Sequence, residues 1–292
     1  MICHLFVRQQ ATICGLICLA LAICLPVGAD DPREAAVVTL RSGGLMIELQ
    51  QAHAWNIQRI LYQGGEVGSC TGAYGLVACI PAAGGWVGSA HTEGGIEQVQ
   101  EVGLIVDGER AELADGAVYT GERIVLTKRS MLDKLQLEAM LVLDSGTLIQ
   151  RHELSATEDI IVTTLYPFMY CITAETRRWL ASTSGGEEQS GTFASGRELE
   201  WHEDWDWTAT YLPEQRTGVV LRHLSVTDGA QTFTGYWDTE RYHKLYVKWV
   251  PEQTTWREGQ RLRGEVALRC YEAPPADWES VARATAAGLV GE

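Results

Sequence analysis

Lysine is scarce in this chain, with four residues against nineteen arginines. Asparagine is scarcer still: Asn56 is the single one. The first 29 positions contain no Asp or Glu. After them no second long apolar run appears, so nothing there approaches the roughly 20 apolar residues of a membrane-spanning helix. Familiar motifs are missing too. There is no Gly-x-Ser-x-Gly elbow, His-Glu-x-x-His, phosphate loop or dinucleotide fingerprint, which removes the usual support for hydrolase, protease, kinase and dehydrogenase readings. No CxxC pair follows residue 29, which argues against a structural zinc site. Basic residues are outnumbered 38 to 23, a net charge of −15. Such acidity argues against nucleic acid or an anionic membrane as partner.

The N-terminus has its own chemistry. One basic residue, Arg8, precedes an apolar run over 11–25, and Val27-Gly28-Ala29 precedes Asp30. That charge order, core length and small-residue end predict a secretory signal peptide over 1–29. The mature chain, 30–292, is then expected to be exported, periplasmic or extracellular, with no membrane insertion after signal removal. Cysteines 3, 14, 18 and 24 leave with the signal, and Cys70, Cys79, Cys171 and Cys270 remain. Export permits disulfides, but four cysteines allow three full pairings and the sequence does not choose among them.

The mature part alternates polar and apolar residues with period two over 44–50, 103–107, 123–128, 135–143, 160–166, 218–226, 245–249 and 261–271. Turn signals separate these runs: Asp107-Gly108, Asp115-Gly116, Asp144-Ser145-Gly146, Asp228-Gly229 and Glu258-Gly259. Asp-Gly between alternating runs is a strong hairpin signal. Helix signals are scarce; the clearest follows Pro274-Pro275, where Trp278, Val281, Ala282, Thr285 and Leu289 keep helical spacing. Residues 182–196 are polar and Gly/Ser-rich and read as a long surface loop. No linker or repeat interrupts the pattern. The expected architecture is all-β: one domain of two large packed antiparallel sheets with one short C-terminal helix.

The length, export signal, strand succession and Trp/His/Glu content resemble the galactose mutarotase-like β-supersandwich superfamily, over roughly residues 38–271. That superfamily includes sugar 1-epimerases, domains of glycoside hydrolases and polysaccharide lyases, and non-catalytic sugar binders, so the resemblance implies a carbohydrate ligand. The aldose 1-epimerase signature needs an Asn-His pair. Here Asn56 is followed by Ile57, and no catalytic residue is carried over from that enzyme.

Three stretches hold candidate site residues. Residues 64–95 contain ten glycines, a density that suits tight turns or close backbone approach to a ligand. Trp86, His91, Glu93 and Glu97 lie in or beside this stretch. An extended backbone puts His91 and Glu93 on one face, where imidazole and carboxylate can exchange protons; Trp86 and Glu97 are the ligand-binding candidates. The second stretch, 201–207, alternates Trp201, Glu203, Trp205 and Trp207 with His202, Asp204 and Asp206. As one strand it would give a Trp face beside Glu203, suited to stacking on a sugar. The His/Asp/Asp face could hold Ca²⁺ or Zn²⁺, although no cofactor is required. The third, 241–249, puts Tyr242, Lys244, Tyr246 and Lys248 on one face and His243, Leu245, Val247 and Trp249 on the core side. Tyr242 and Lys244 are acid/base candidates and Tyr246 a ligand contact. Three functions remain open: a carbohydrate-binding protein, a glycan lyase or epimerase, and a structural envelope component.

Overall fold

The structure, a computed structural model, describes residues 36–71, 74–89, 97–194, 200–203, 205–227, 230–250 and 254–289. They form two large, almost wholly antiparallel sheets and one C-terminal helix. The first sheet runs, strand by neighbouring strand, Glu200–Glu203, Gln231–Asp238, Tyr242–Val250, Thr164–Thr173, Gly65–Gly68, Asn56–Tyr62, Leu45–Gln50, Val37–Ser42 and Val118–Thr120. Val77–Ile80 branches from Thr164–Thr173 and carries Gly85–Gly88 on its other side. The second sheet runs Glu188–Thr192, Arg178–Thr183, Trp205–Leu212, Thr217–Val226, Arg261–Glu272, Thr147–Ala156, Leu135–Asp144, Arg123–Leu132, Gln98–Val106 and Glu109–Ala111.

Alternation drives the layering. Ile124, Leu126 and Leu132 point inward from one sheet, and Leu40, Leu45 and Ile47 from the other, all nearly inaccessible. The Asp107-Gly108 and Ser145-Gly146 pairs have left-handed backbone throughout, as the commonest tight hairpins require. Contact between layers is close: a Cβ on Gly264 of the second sheet would lie 2.2 Å from the ring of Trp249 on the first. Trp249 meets Phe168 edge to face at 5.6 Å, and truncating such a residue costs about 3–5 kcal/mol.

The helix Trp278–Ala287 forms where the helical spacing predicted it. It lays Trp278, Ala282 and Ala286 on the outer face of the second sheet, with Trp278 stacked on Tyr211 at 5.3 Å. Arg222 donates to the carbonyls of Ala286 and Leu289 at 2.9 and 2.8 Å, satisfying acceptors that the helix end leaves free.

Two expectations need correction. The stretch 182–196 is not a long loop: Glu188–Thr192 is an edge strand paired with Arg178–Thr183. Arg283 of the helix grips Glu188 through two bonds of 2.7 Å. Alternation over 160–166 marks two elements: Ile160–Ile161 pairs with Thr255–Trp256, and Thr164–Thr173 belongs to the first sheet. No disulfide joins Cys70, Cys79, Cys171 and Cys270 to one another.

Candidate functional site

The first sheet has two faces with different contents. Tyr170, Ile172, Leu245, Val247 and Trp249 point into the main core. On the opposite, outer face Val77, Met169 and Tyr246 form a separate cluster, with Tyr166 packed against it. Cross-strand pairing explains the grouping: Val77 lies opposite Tyr166, and Met169 opposite Tyr246.

Trp86 joins this face from the strand Gly85–Gly88. Its ring stacks on Tyr166 with centroids 5.7 Å apart and planes 11° apart. Tyr166 in turn lies 5.4 Å from Tyr246, and the ammonium of Lys244 sits 5.0 Å from the Tyr246 ring centroid. Trp86, from the glycine-rich stretch, and Lys244 and Tyr246, from 241–249, therefore share one surface. Tyr242 has the same parity on its strand and is half-buried. Trp86 remains 37% exposed and leaves ring surface for a ligand, whereas Lys244 is fully buried.

Burial sets the protonation behaviour. It raises the pKa of Tyr246, Tyr242 and Tyr166 and lowers that of Lys244. The phenols thus stay protonated at neutral pH. They can stack and hydrogen-bond, but they are poor general bases.

His91 and Glu93 fall outside the described residues. Backbone register sets Trp201 opposite Gly235 and Glu203 opposite Phe233, while the side chains of Trp201 and Glu203 lie outside the described set. Trp205 is not on this platform. The expected single strand over 201–207 is divided, with Glu200–Glu203 in the first sheet and Trp205–Leu212 in the second. Trp205 is core, 5.6 Å from Trp179 and 6.0 Å from Tyr236. A register shift beside it sends Trp207 to the helix side. Asp206 pairs with Arg222 at 3.0 Å, Asp204 is outside the described residues, and no group of three metal-binding side chains occurs among the described residues.

Glu97 turns inward instead of toward the aromatic face. Its carboxylate accepts from Lys128 at 2.7 Å, Ser130 at 2.5 Å and Asn56 at 3.2 Å. Lys128 also donates to the Ala54 carbonyl at 2.8 Å and to Asn56 Oδ1 at 3.2 Å. Three donors on the ammonium thus meet three acceptors. A second buried pair, His243 Nδ1 to Asp238 Oδ1 at 2.6 Å, is closed by Phe193 stacked 4.1 Å from the imidazole.

Sequence reasoning missed Tyr166 and Trp237. Tyr166 ends an alternating run and could have been found there. Trp237 is 40% exposed, and its register opposite Lys244 sets it on the aromatic face; strand pairing alone reveals this. A cleft of about 430 Å³ on the outer face of the second sheet has another character, lined by Glu101, Arg129, Glu138, Arg151, Glu153 and Arg263. Much of its charge is already matched: Arg129 to Glu101 at 2.8 Å, Arg151 to Glu265, and Glu153 to Arg261 at 2.8 Å.

No protein-family model and no curated protein matches the sequence. Solved structures do match in fold. An Escherichia coli K12 protein provisionally named an aldose 1-epimerase superposes with a TM-score of 0.51 at 10% identity, covering 82% of this chain and 100% of that one. The galactosidase domain of the alpha-galactosidase–sucrose kinase AgaSK gives 0.54 at 9% identity, over 81% of this chain and 40% of that one. A beta-arabinopyranosidase gives 0.50 at 8% identity, over 79% and 39%. The likeness is one of fold: this chain shares the two-sheet β-sandwich of these structures.

Proposed function

We propose that this is an exported carbohydrate-binding protein whose ligand lies on the outer face of the first sheet. The observation that carries the reading is the row Trp86, Tyr166 and Tyr246. Trp86 offers the apolar C–H face of a sugar a stacking surface, with Tyr166 packed beside it and Tyr246 and Lys244 buried as its support. An exposed tryptophan ring of this kind is unfavourable in water and suits an interaction site. The sugar-processing names of the matched structures agree with this choice of ligand. The leader over 1–29 supports export to the periplasm or the outside.

A binder is favoured over a lyase or epimerase because the described residues of this face offer stacked rings, and burial makes Tyr242 and Tyr246 weaker candidates for the general base. It is favoured over a purely structural component because Trp86 remains accessible. The test is a glycan-array screen of the mature protein, with an absorbance assay for unsaturated uronate products on every glycan that binds. Saturable binding that Trp86→Ala weakens, without product, is the expected result. Product formation would replace the binder by a lyase, and a blank array would end the carbohydrate reading. N-terminal sequencing of secreted protein should begin near Asp30; a retained Met1 would remove the export claim.

A further inference from the structure

We propose that the carbohydrate is a chain of several sugar units laid diagonally over the strands, with Trp237 as its distal platform; this rests on the carbohydrate reading above. Two tryptophans are strongly exposed among the described residues, Trp86 at 37% and Trp237 at 40%, and both belong to the same sheet face. They occupy the outermost of five neighbouring strands: Gly85–Gly88, Val77–Ile80, Thr164–Thr173, Tyr242–Val250 and Gln231–Asp238. Register sets Trp86 level with Thr164 and Trp237 level with Cys171, so the two are also offset along the strands; four strand steps of about 4.8 Å and about six residues of about 3.3 Å rise put them roughly 25–30 Å apart. One sugar ring covers a fraction of that length. A ligand that uses both tryptophans is therefore an oligosaccharide.

Between them half-buried Tyr166 continues the line from Trp86. Tyr246 is almost wholly buried and Lys244 fully buried beside it, and Trp237 lies in register opposite Lys244, so the two tryptophans carry the stacking surface. Among the described outward positions of these five strands none carries a carboxylate, in a chain with 38 acidic residues. Two of the chain's four lysines, Lys244 and Lys248, lie there, the second 5.8 Å from the ring of Phe233. A neutral chain and a uronate-bearing chain both escape repulsion on such a floor, and the test separates them.

The experiment titrates the mature protein, by calorimetry and tryptophan fluorescence, with size-graded cello-oligosaccharides and oligogalacturonides of one to six units. In at least one series, Kd should fall about tenfold or more from monomer to hexamer. Trp237→Ala should bring the hexamer-to-monomer affinity ratio close to one, and Trp237→Phe should keep most of it. Arg129→Ala, on the other sheet, should leave the ratio unchanged. Equal affinity for monomer and hexamer would overturn the chain proposal and leave a monosaccharide binder standing. Length dependence untouched by Trp237→Ala would overturn the role of Trp237. No binding in either series would overturn the chain proposal as drawn, while the glycan array judges the broader reading independently. Circular dichroism and Tm of each variant separate loss of binding from loss of fold.

Discussion

Trp86 and Glu97 are eleven positions apart in the sequence, yet they finish in opposite environments. The tryptophan is more than a third exposed on the outer face, and the glutamate side chain is wholly inaccessible between the sheets. Simple hydropathy predicts the reverse. Partners decide it. Glu97 meets a lysine, a hydroxyl and an amide that each donate to it, and a carboxylate can be buried only under such conditions. Trp86 stacks one face on Tyr166 and keeps the rest open. The lesson is one of roles: Glu97 serves the fold, and Trp86 is available to a ligand.

That contrast can be broken at either end. The largest effect belongs to the interior. Glu97→Ala leaves Lys128 charged and buried, and should cost about 3–5 kcal/mol in urea unfolding. The double variant Glu97→Leu with Lys128→Met removes both charges and should lose less than Glu97→Ala, the remaining loss coming from the Ala54 carbonyl, Asn56 and Ser130 that it leaves without these partners. A double variant as unstable as Glu97→Ala would show that shape, and not charge pairing, governs this site.

Acid titration probes the same interior. Burial, with the nearby Lys128 cation, depresses the pKa of His152 from 6.5 to about 3. Above pH 6.5 the imidazole is neutral in both folded and unfolded chains, and its full contribution to stability is present. As the pH falls from 6.5 toward 3, the unfolded chain takes up a proton that the native state refuses. Stability should then drop by about 1.4 kcal/mol per pH unit from this group. His152→Phe should flatten that slope in Tm measured from pH 7 to 4. An unchanged slope would assign acid sensitivity to other groups.

Smaller effects lie on the surface. Trp86→Ala should weaken glycan binding by about 0.5–1.5 kcal/mol, up to roughly tenfold in Kd, with little change in Tm. A large loss of Tm without a change in Kd would recast Trp86 as a packing residue. The smallest effect is expected on the second sheet. Arg129 and Glu101 form an exposed pair, and Arg129→Ala should change stability by less than about 1 kcal/mol and leave glycan binding intact.

Much of the fold was legible from local pattern. Alternation located Leu45–Gln50, Arg123–Leu132, Leu135–Asp144, Thr217–Val226 and Arg261–Glu272 to within a few residues, because one wet face and one buried face impose period two. Glu188–Thr192 was not legible: an edge strand with mostly exposed residues carries no apolar rhythm. The division at 203–205 was equally hidden, since a strand that stops and resumes in the other sheet keeps its alternation. At the candidate site the parity of Tyr242, Lys244 and Tyr246 could be read from one strand. The union of Trp86, Tyr166, Tyr246 and Trp237 could not, because it depends on the neighbour order of five strands drawn from three separate parts of the sequence.

The sequence by itself determined an acidic, all-β chain with a terminal helix, since composition and short periodicities decide such features locally. Tertiary structure alone decided which aromatic rings gather on one face, that Glu97 is sealed against Lys128, and that Trp205 belongs to the core. Those outcomes turn on which strands become hydrogen-bonded neighbours. That choice is made by burying side chains from distant strands together, and no single stretch of sequence encodes it.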